Sequence, residues 1–233
     1  MPLIPYPVRI NRYLALTGVS TRREGDLLVE KGFVTINGKK AKLGELVNQG
    51  DTVEVKGHTE KKYVYFAYYK PREILSHSAQ DGEKDIKSVV HKKDVFPIGR
   101  LDKDSEGLII LTNDGRITDR LLNPEYEHEK EYVVEVDKPL TESFKNKMEK
   151  GVLIEGYKTK PCTIKLLSDK KFAIILTEGK KHQIRRMCAA LGYQVQNLKR
   201  TRIMNVKLND LKPNKTRELS GKELSEFLKN LSL

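Results

Sequence analysis

The sequence predicts an α+β protein, with a small N-terminal α/β module followed by a larger domain whose mostly antiparallel or mixed β-sheet is flanked by helices. Three observations predict it. The first 55 or so residues carry two helical stretches and then short strands. Beyond them, strand-like runs and helices mix without the regular alternation of a doubly wound parallel sheet. No period of 20 to 50 residues recurs, which sets a repeat solenoid aside. A length of 233 residues suits one small and one larger domain.

In chain order, "VRINRYLALTGV" has helical spacing. "STRREGDLLVEKG" opens with Thr21 and Glu24 in capping-box positions and stops on Gly32. "FVTINGKKAKL" contains Asn37-Gly38, the strongest short hairpin signal, and "GDTVEV" follows its own turn as a strand. The polar stretch "KGHTEKK", residues 56–62, lacks periodicity and reads as a linker, which divides the chain into domains 1–58 and 59–233. In the second domain, "YVYFAYY", "GLIILT", "EYVVEV", "CTIKLL" and "KFAIILT" read as strands. Helices fall around "GRITDRLLN", "TESFKNKMEKG", "KHQIRRMCAALG" and "SGKELSEFLKNL", the last with Ser220 and Glu223 at capping-box spacing.

Lys and Arg number 44 against 32 Asp and Glu, giving a formal charge of +12 and a pI near 9.5. A globular chain this basic meets a polyanion, with nucleic acid the leading candidate. No run of 18 apolar residues favours a membrane, and "MPLIPYPVRINRY" lacks a signal-peptide layout, so a soluble cytoplasmic protein is expected. Cys162 and Cys188 stand apart without metal or redox spacing, and the five histidines form no ligand set.

Two basic constellations stand out. In one, Arg22 and Arg23 sit on the opening turn of a helix, with Arg9 and Arg12 one helix earlier and Lys39, Lys40 and Lys42 on the hairpin; helix N-termini and paired guanidinium groups suit phosphate. In the other, residues 180–202 hold Lys180, Lys181, Arg185, Arg186, Lys199, Arg200 and Arg202 and no acid at all. Ile184, Met187 and Leu191 are interleaved there at helical spacing, which packs one face down and aims the arginines. For any single residue of either set, a solvated surface is the ordinary reading.

The stretch "GRLDKDSEGLIILTNDG" places Asp102, Asp104 and Glu106 at alternate positions. A calcium loop would need a carboxylate at its twelfth position, where Asn113 stands, and phosphatase aspartates should follow an apolar strand rather than precede one. What remains is a loop carboxylate, Asp102, between Arg100 and a buried strand. It is either half of a surface ion pair or an ionised nucleophile or base.

"FPIGRLDKDSEGLIILTNDG" resembles the catalytic motif of RNA pseudouridine synthases, in particular the RsuA family. "HEKEYVVEVDKPL" resembles that family's second motif and "GKKHQIRRMCAALGY" its third, while the first 55 residues resemble its S-four-type RNA-binding module. "LKRTRIMNVKL" is more similar to the RluF branch, which acts on large-subunit ribosomal RNA, and Glu73 in "KPREILS" stands where the family pattern has glycine. The resemblance implies isomerisation of uridine to pseudouridine in ribosomal RNA, in a structured stem-loop of the 23S species, with transfer RNA as a further candidate and with no cofactor or metal. It implies Asp102 as the essential carboxylate, Arg185 as its ion-pair partner, and Tyr132 stacked on the uracil. Beside these, Arg100, Leu101, Lys103, His182, Gln183, Ile184 and Arg186 are expected to contact RNA near the target base, and Arg9, Arg12, Arg22, Arg23 and Lys39 to do so from the N-terminal module. The alternative from another class is a non-catalytic RNA-binding or ribosome-associated protein. It would be free to lose one of Asp102, Tyr132 and Arg185, all of which are present.

Overall fold

A computed structural model describes residues 4–56, 62–77, 80, 82–92 and 94–233. Most of the linker "KGHTEKK" therefore lies outside the described residues. The chain divides into two compact units, Met1–Tyr63 with Asp114–Arg120 and Lys229–Leu233, and Val64–Asn113 with Leu121–Leu228.

The first unit opens with β1 (Val8–Arg9), α1 (Ile10–Leu16) and α2 (Arg22–Glu30). The capping box of α2 forms as expected: Glu24 N–H donates to the Thr21 hydroxyl, and Thr21 N–H donates to the Glu24 carboxylate. β2 (Val34–Ile36), β3 (Lys39–Lys40), β4 (Leu46–Val47) and β5 (Val53–Val55) follow. Between β2 and β3, Asn37 and Gly38 take φ of 51° and 75°, the left-handed pair that a two-residue hairpin needs. Val8, Ile10, Leu14, Val29, Val34 and Val47 make its core.

Two later segments complete this unit. Arg116 grips Asp114 through Nε and Nη2 at 2.8 and 2.9 Å and donates Nη1 to Gly18 O at 3.0 Å. Arg120, buried, donates to Leu16 O at 3.1 Å and to the carbonyls of Leu231 and Ser232. Backbone oxygens from the end of α1 and from the C-terminus thus find their donors on one guanidinium, whose planar fork suits several acceptors at once.

The second unit comprises β6 (Tyr65–Lys70), α3 (Ile86–Val89), β7 (Phe96–Ile98), β8 (Glu106–Thr112), then α4 (Ile117–Leu122), which begins in the first unit, then β9 (Lys130–Val136), α5 (Glu142–Glu149), β10 (Leu153–Ile154), β11 (Tyr157–Lys158), β12 (Thr163–Ser168), β13 (Lys171–Leu176), α6 (Gln183–Ala190), β14 (Val195–Ile203), β15 (Val206–Lys207), β16 (Thr216–Glu218) and α7 (Gly221–Asn230). Nine of these strands form one sheet in the order β12-β13-β9-β14-β8-β6-β16, with β15 on β14 and β7 on β8. The β14–β8 pairing is parallel and the sheet's other pairings are antiparallel, so the sheet is mixed.

The expected strands and helices all form. β14, the centre of the sheet, comes from the stretch read only as a basic cluster. The capping box expected at Ser220 is replaced: Glu223 gives both carboxylate oxygens to Arg217, at 2.6 and 2.7 Å. Two hydrophobic clusters sit on the sheet. One joins Val134, Ile174 and Leu198 to Phe144 and Met148 of α5 and Ile184, Met187 and Cys188 of α6. The other gathers Tyr68, Ile86, Leu101, Ile109 and Leu111. Tyr132 packs against both.

Candidate active site

Strand register places the site. Ile174 faces Tyr132, Tyr132 faces Arg200, Arg200 faces Gly107, and Gly107 faces Lys70, a single row across β13, β9, β14, β8 and β6. Directly opposed residues point to one side of a sheet, so the row lies on the face that carries both clusters. Gly107 has φ 113°, and a Cβ there would lie 2.3 Å from the Arg200 carbonyl oxygen, so glycine alone lets β8 and β14 approach this closely.

The loop before β8 delivers Asp102. Buried Ser76 donates its hydroxyl to Leu101 O at 2.8 Å and accepts from Leu101 N–H at 2.9 Å. Ser105 N–H donates to the backbone carbonyl of Asp102 at 3.0 Å, closing a turn that starts at that residue. The Asp102 side chain, 39% exposed, pairs with His182 Nε2 at 3.3 Å. The three alternate carboxylates part company: Asp104 is exposed, while Glu106 accepts from Tyr69 OH at 2.6 Å and Asn197 Nδ2 at 2.9 Å. Burial opposes the Glu106 charge, but those two bonds and nearby Lys199 outweigh it and hold the carboxyl below its usual range. Among the described residues no three His, Cys, Asp or Glu side chains gather where they could hold a metal ion.

His182 adopts a left-handed conformation at the N-terminus of α6, and Gln183 explains how it is held. Gln183 is buried, accepts from Lys180 N–H and donates to buried Glu178, which also accepts from Lys160 N–H and Tyr157 OH. The expected RNA contacts of Gln183, Ile184 and Leu101 are therefore corrected, because these side chains are engaged inside the protein. Arg100 is exposed, and Lys103 pairs with Glu83 at 2.9 Å. The anticipated Arg185–Asp102 ion pair is also corrected. The Arg185 guanidinium donates instead to Asp104 O at 3.1 Å, Val195 O at 3.2 Å and Ser105 Oγ at 3.4 Å, so it braces the loop backbone while His182 takes the carboxylate.

The run 180–202 is compensated from elsewhere in the chain. Arg186 pairs with Glu155 at 2.9 Å, and Arg202 pairs with Glu129 and Glu131 at 3.0 and 2.8 Å. Arg200 is 4% exposed, donates Nε to Leu108 O at 2.7 Å, lies 6.0 Å from the Tyr132 ring, and its buried Nη2 meets no partner among the described residues. Two lysines on this sheet are equally unusual. Burial pulls both Lys70 and Lys130 down to about 8, with Arg200 adding repulsion to each. Sequence reading took Arg200 only as part of the basic cluster and did not single out Lys70 or Lys130, each a charge bordering a strand-like run. Burial pushes the thiols of Cys162 and Cys188 up to about 12, far from reactive.

In the other unit, Arg9, Arg12, Arg22, Arg23 and Lys39 are all exposed. Arg9, Asn11, Arg12 and Arg22 line a cleft of about 360 Å³.

Arg185 donates to the carbonyl of Asp104, two residues past Asp102, and an arginine-lined cleft lies on the other unit. Residues 64–190 match the model of the RNA pseudouridylate synthase family, and residues 8–53 match the S4 domain. The chain belongs to the RNA pseudouridylate synthase family. It is 45% identical to the dual-specificity RNA pseudouridine synthase RluF of Escherichia coli (strain K12), over 95% of this chain and 79% of that protein. It is 36% identical to the ribosomal large subunit pseudouridine synthase B of Bacillus subtilis (strain 168), over 94% of this chain and 95% of that protein. A crystal structure of a pseudouridylate synthase superposes with a TM-score of 0.70 at 27% identity, covering 96% of this chain and 99% of that one.

Proposed function

We propose that this RNA pseudouridine synthase isomerises a uridine in a stem-loop of large-subunit ribosomal RNA, with Asp102 as its essential carboxylate. The supporting observation is the juxtaposition of a braced, half-exposed Asp102 with Arg185 on its loop backbone. Tyr132, between two apolar clusters, offers a flat face for the base. Extruding a paired uridine costs a few kcal/mol, which contacts from Arg100, Lys103 and the arginines of the S4 unit to flanking phosphates offset. Asp102 then acts on the ribose as nucleophile or as the base that removes a sugar proton. The bond from ribose to the base nitrogen breaks, the uracil turns, and a carbon–carbon bond forms; the ring carbon loses a proton and the nitrogen gains one. Arg185 orients Asp102 through the Asp104 carbonyl and Ser105. Tyr132 stacks on the uracil and assists that proton transfer.

The test is pseudouridine formation in ribosomal RNA and, separately, transfer RNA, read by chemical labelling and primer extension, with the wild type and Asp102→Asn. New pseudouridine with the wild type alone supports the reading, and the labelled position names the substrate. Modification confined to transfer RNA overturns the ribosomal assignment. Binding without modification by either protein makes the chain an RNA-binding protein without chemistry.

A further inference from the structure

Arg200 is a buried cation without an anion. It is 4% exposed, and among the described residues its guanidinium makes a single hydrogen bond, from Nε to Leu108 O at 2.7 Å. Buried Nη2 meets no partner among them, and no carboxylate pairs with the group. An uncompensated buried charge is among the costliest features a fold can carry. Its position narrows what the charge is for. Strand register sets Arg200 between Tyr132 of β9 and Gly107 of β8, the strand into which the Asp102 loop leads. The guanidinium carbon lies 6.0 Å from the centre of the Tyr132 ring. Burial pulls Lys70 and Lys130 toward neutrality, with Arg200 adding repulsion to each. A guanidinium does not give up its proton in proteins, so Arg200 is the permanent charge of this face.

We propose that Arg200 supplies the positive charge that stabilises the uracil as an anion while it is detached from the ribose. The proposal rests on the uridine chemistry described above, with the base stacked on Tyr132. When the bond from ribose C1′ to N1 breaks, its electron pair stays on the base, and the charge spreads over N1 and the two carbonyl oxygens. After the ring turns, C5 uses a pair from that conjugated system to bond C1′. C5 then loses its proton, the C–H pair restores the ring double bond, and N1 takes up a proton. The base is therefore anionic only between the first bond change and the second, under either role of Asp102. A fixed charge one ring away is matched to that interval. It acts on the detached base far more than on neutral uridine, which lowers the barrier rather than tightening binding. A carboxylate of the protein's own beside Nη2 would cancel this field, which accounts for its absence among the described residues.

The experiment compares full-length wild type, Arg200→Met, Arg200→Gln, Arg200→Lys and Asp102→Asn on the RNA that the wild type modifies, made with uridine or with 5-fluorouridine at the target. Single-turnover loss of the N-linked nucleoside is read by nuclease digestion and chromatography, and folding by thermal unfolding. Fluorine at C5 lets the base carry negative charge more easily and so stands in for part of the missing cation. Arg200→Met is expected to lose about 10- to 100-fold in rate on uridine RNA, less than the roughly 10²–10³ for a donor in direct contact. On 5-fluorouridine RNA the loss shrinks by about fivefold or more, and the Kd for RNA changes less than about twofold. Arg200→Lys, which keeps the charge, stays nearer the wild type on both RNAs. An unchanged rate in Arg200→Met, an equal loss on the two RNAs, or a lysine variant as slow as the methionine one overturns the proposal. Should Arg200→Met fail to fold, Arg200→Gln, which keeps a donor for Leu108 O but not the charge, is read against the same outcomes. Activity surviving in Asp102→Asn overturns the reading beneath the proposal instead.

Discussion

The Ser76 hydroxyl holds both backbone groups of Leu101, donating to its carbonyl and accepting from its N–H. One buried side chain thus sets the peptide that precedes Asp102. Ser76→Ala leaves two backbone groups unpaired and is expected to cost about 1–3 kcal/mol in urea unfolding. It also lowers kcat more than it raises KM. A variant with lowered stability but unchanged kcat shows that the loop is set by other contacts.

Glu73 sits at φ 65°, where a side chain is strained. Glu73→Gly removes a left-handed penalty of about 1–2 kcal/mol, partly offset by the greater freedom of glycine in the unfolded chain. The expected result is a net gain of about 0.5–1 kcal/mol by thermal unfolding. A lower Tm refutes this.

Lys70 and Lys130 titrate near 8 when folded, below the ordinary lysine value of about 10.4. Between those pH values the unfolded chain binds more protons, so their contribution to stability rises with pH across that window; below about 8 the penalty of burying charge is present in full. Buried Tyr68, pushed up to about 12, reverses the trend above about pH 10. The urea midpoint of the wild type relative to Lys70→Met should therefore climb from pH 7.5 to 9.5. A constant difference between the two proteins refutes it.

Arg9, Arg12 and Arg22 line the cleft of the S4 unit. Neutralising all three should weaken RNA binding and reduce the salt slope of log K by about 2, at roughly 0.7 per phosphate contact, with kcat at saturating RNA unchanged. An unaltered slope removes the cleft from the RNA path.

Much of this was legible in the sequence, for physical reasons that differ by element. The α2 capping box and the Asn37-Gly38 hairpin are local chemistry, complete within a few residues, so pattern and structure coincide. β14 was not legible as the sheet's centre because its charges are answered by Glu129 and Glu131, some seventy residues upstream. Asp102, Tyr132 and Arg185 were singled out through long motifs in order, whereas the pairing of Asp102 with His182 and of Arg185 with the loop backbone depends on the rotamers of a folded loop. Lys70 escaped notice and Arg200 was read only as part of a basic cluster, because a charge is ordinarily read as a solvated one and both are buried.

The guanidiniums of Arg116 and Arg120 have a consequence for how such a protein is recombined. Their acceptors lie at Gly18 and Leu16, 98 and 104 residues earlier in the chain, and at carbonyls near the C-terminus. A graft that carries only the first 56 residues to another enzyme brings the acceptors and abandons the donors. The S4 unit is contiguous in its family match but dispersed in its hydrogen bonding, and a functional transplant must move residues 114–120 and 229–233 along with it.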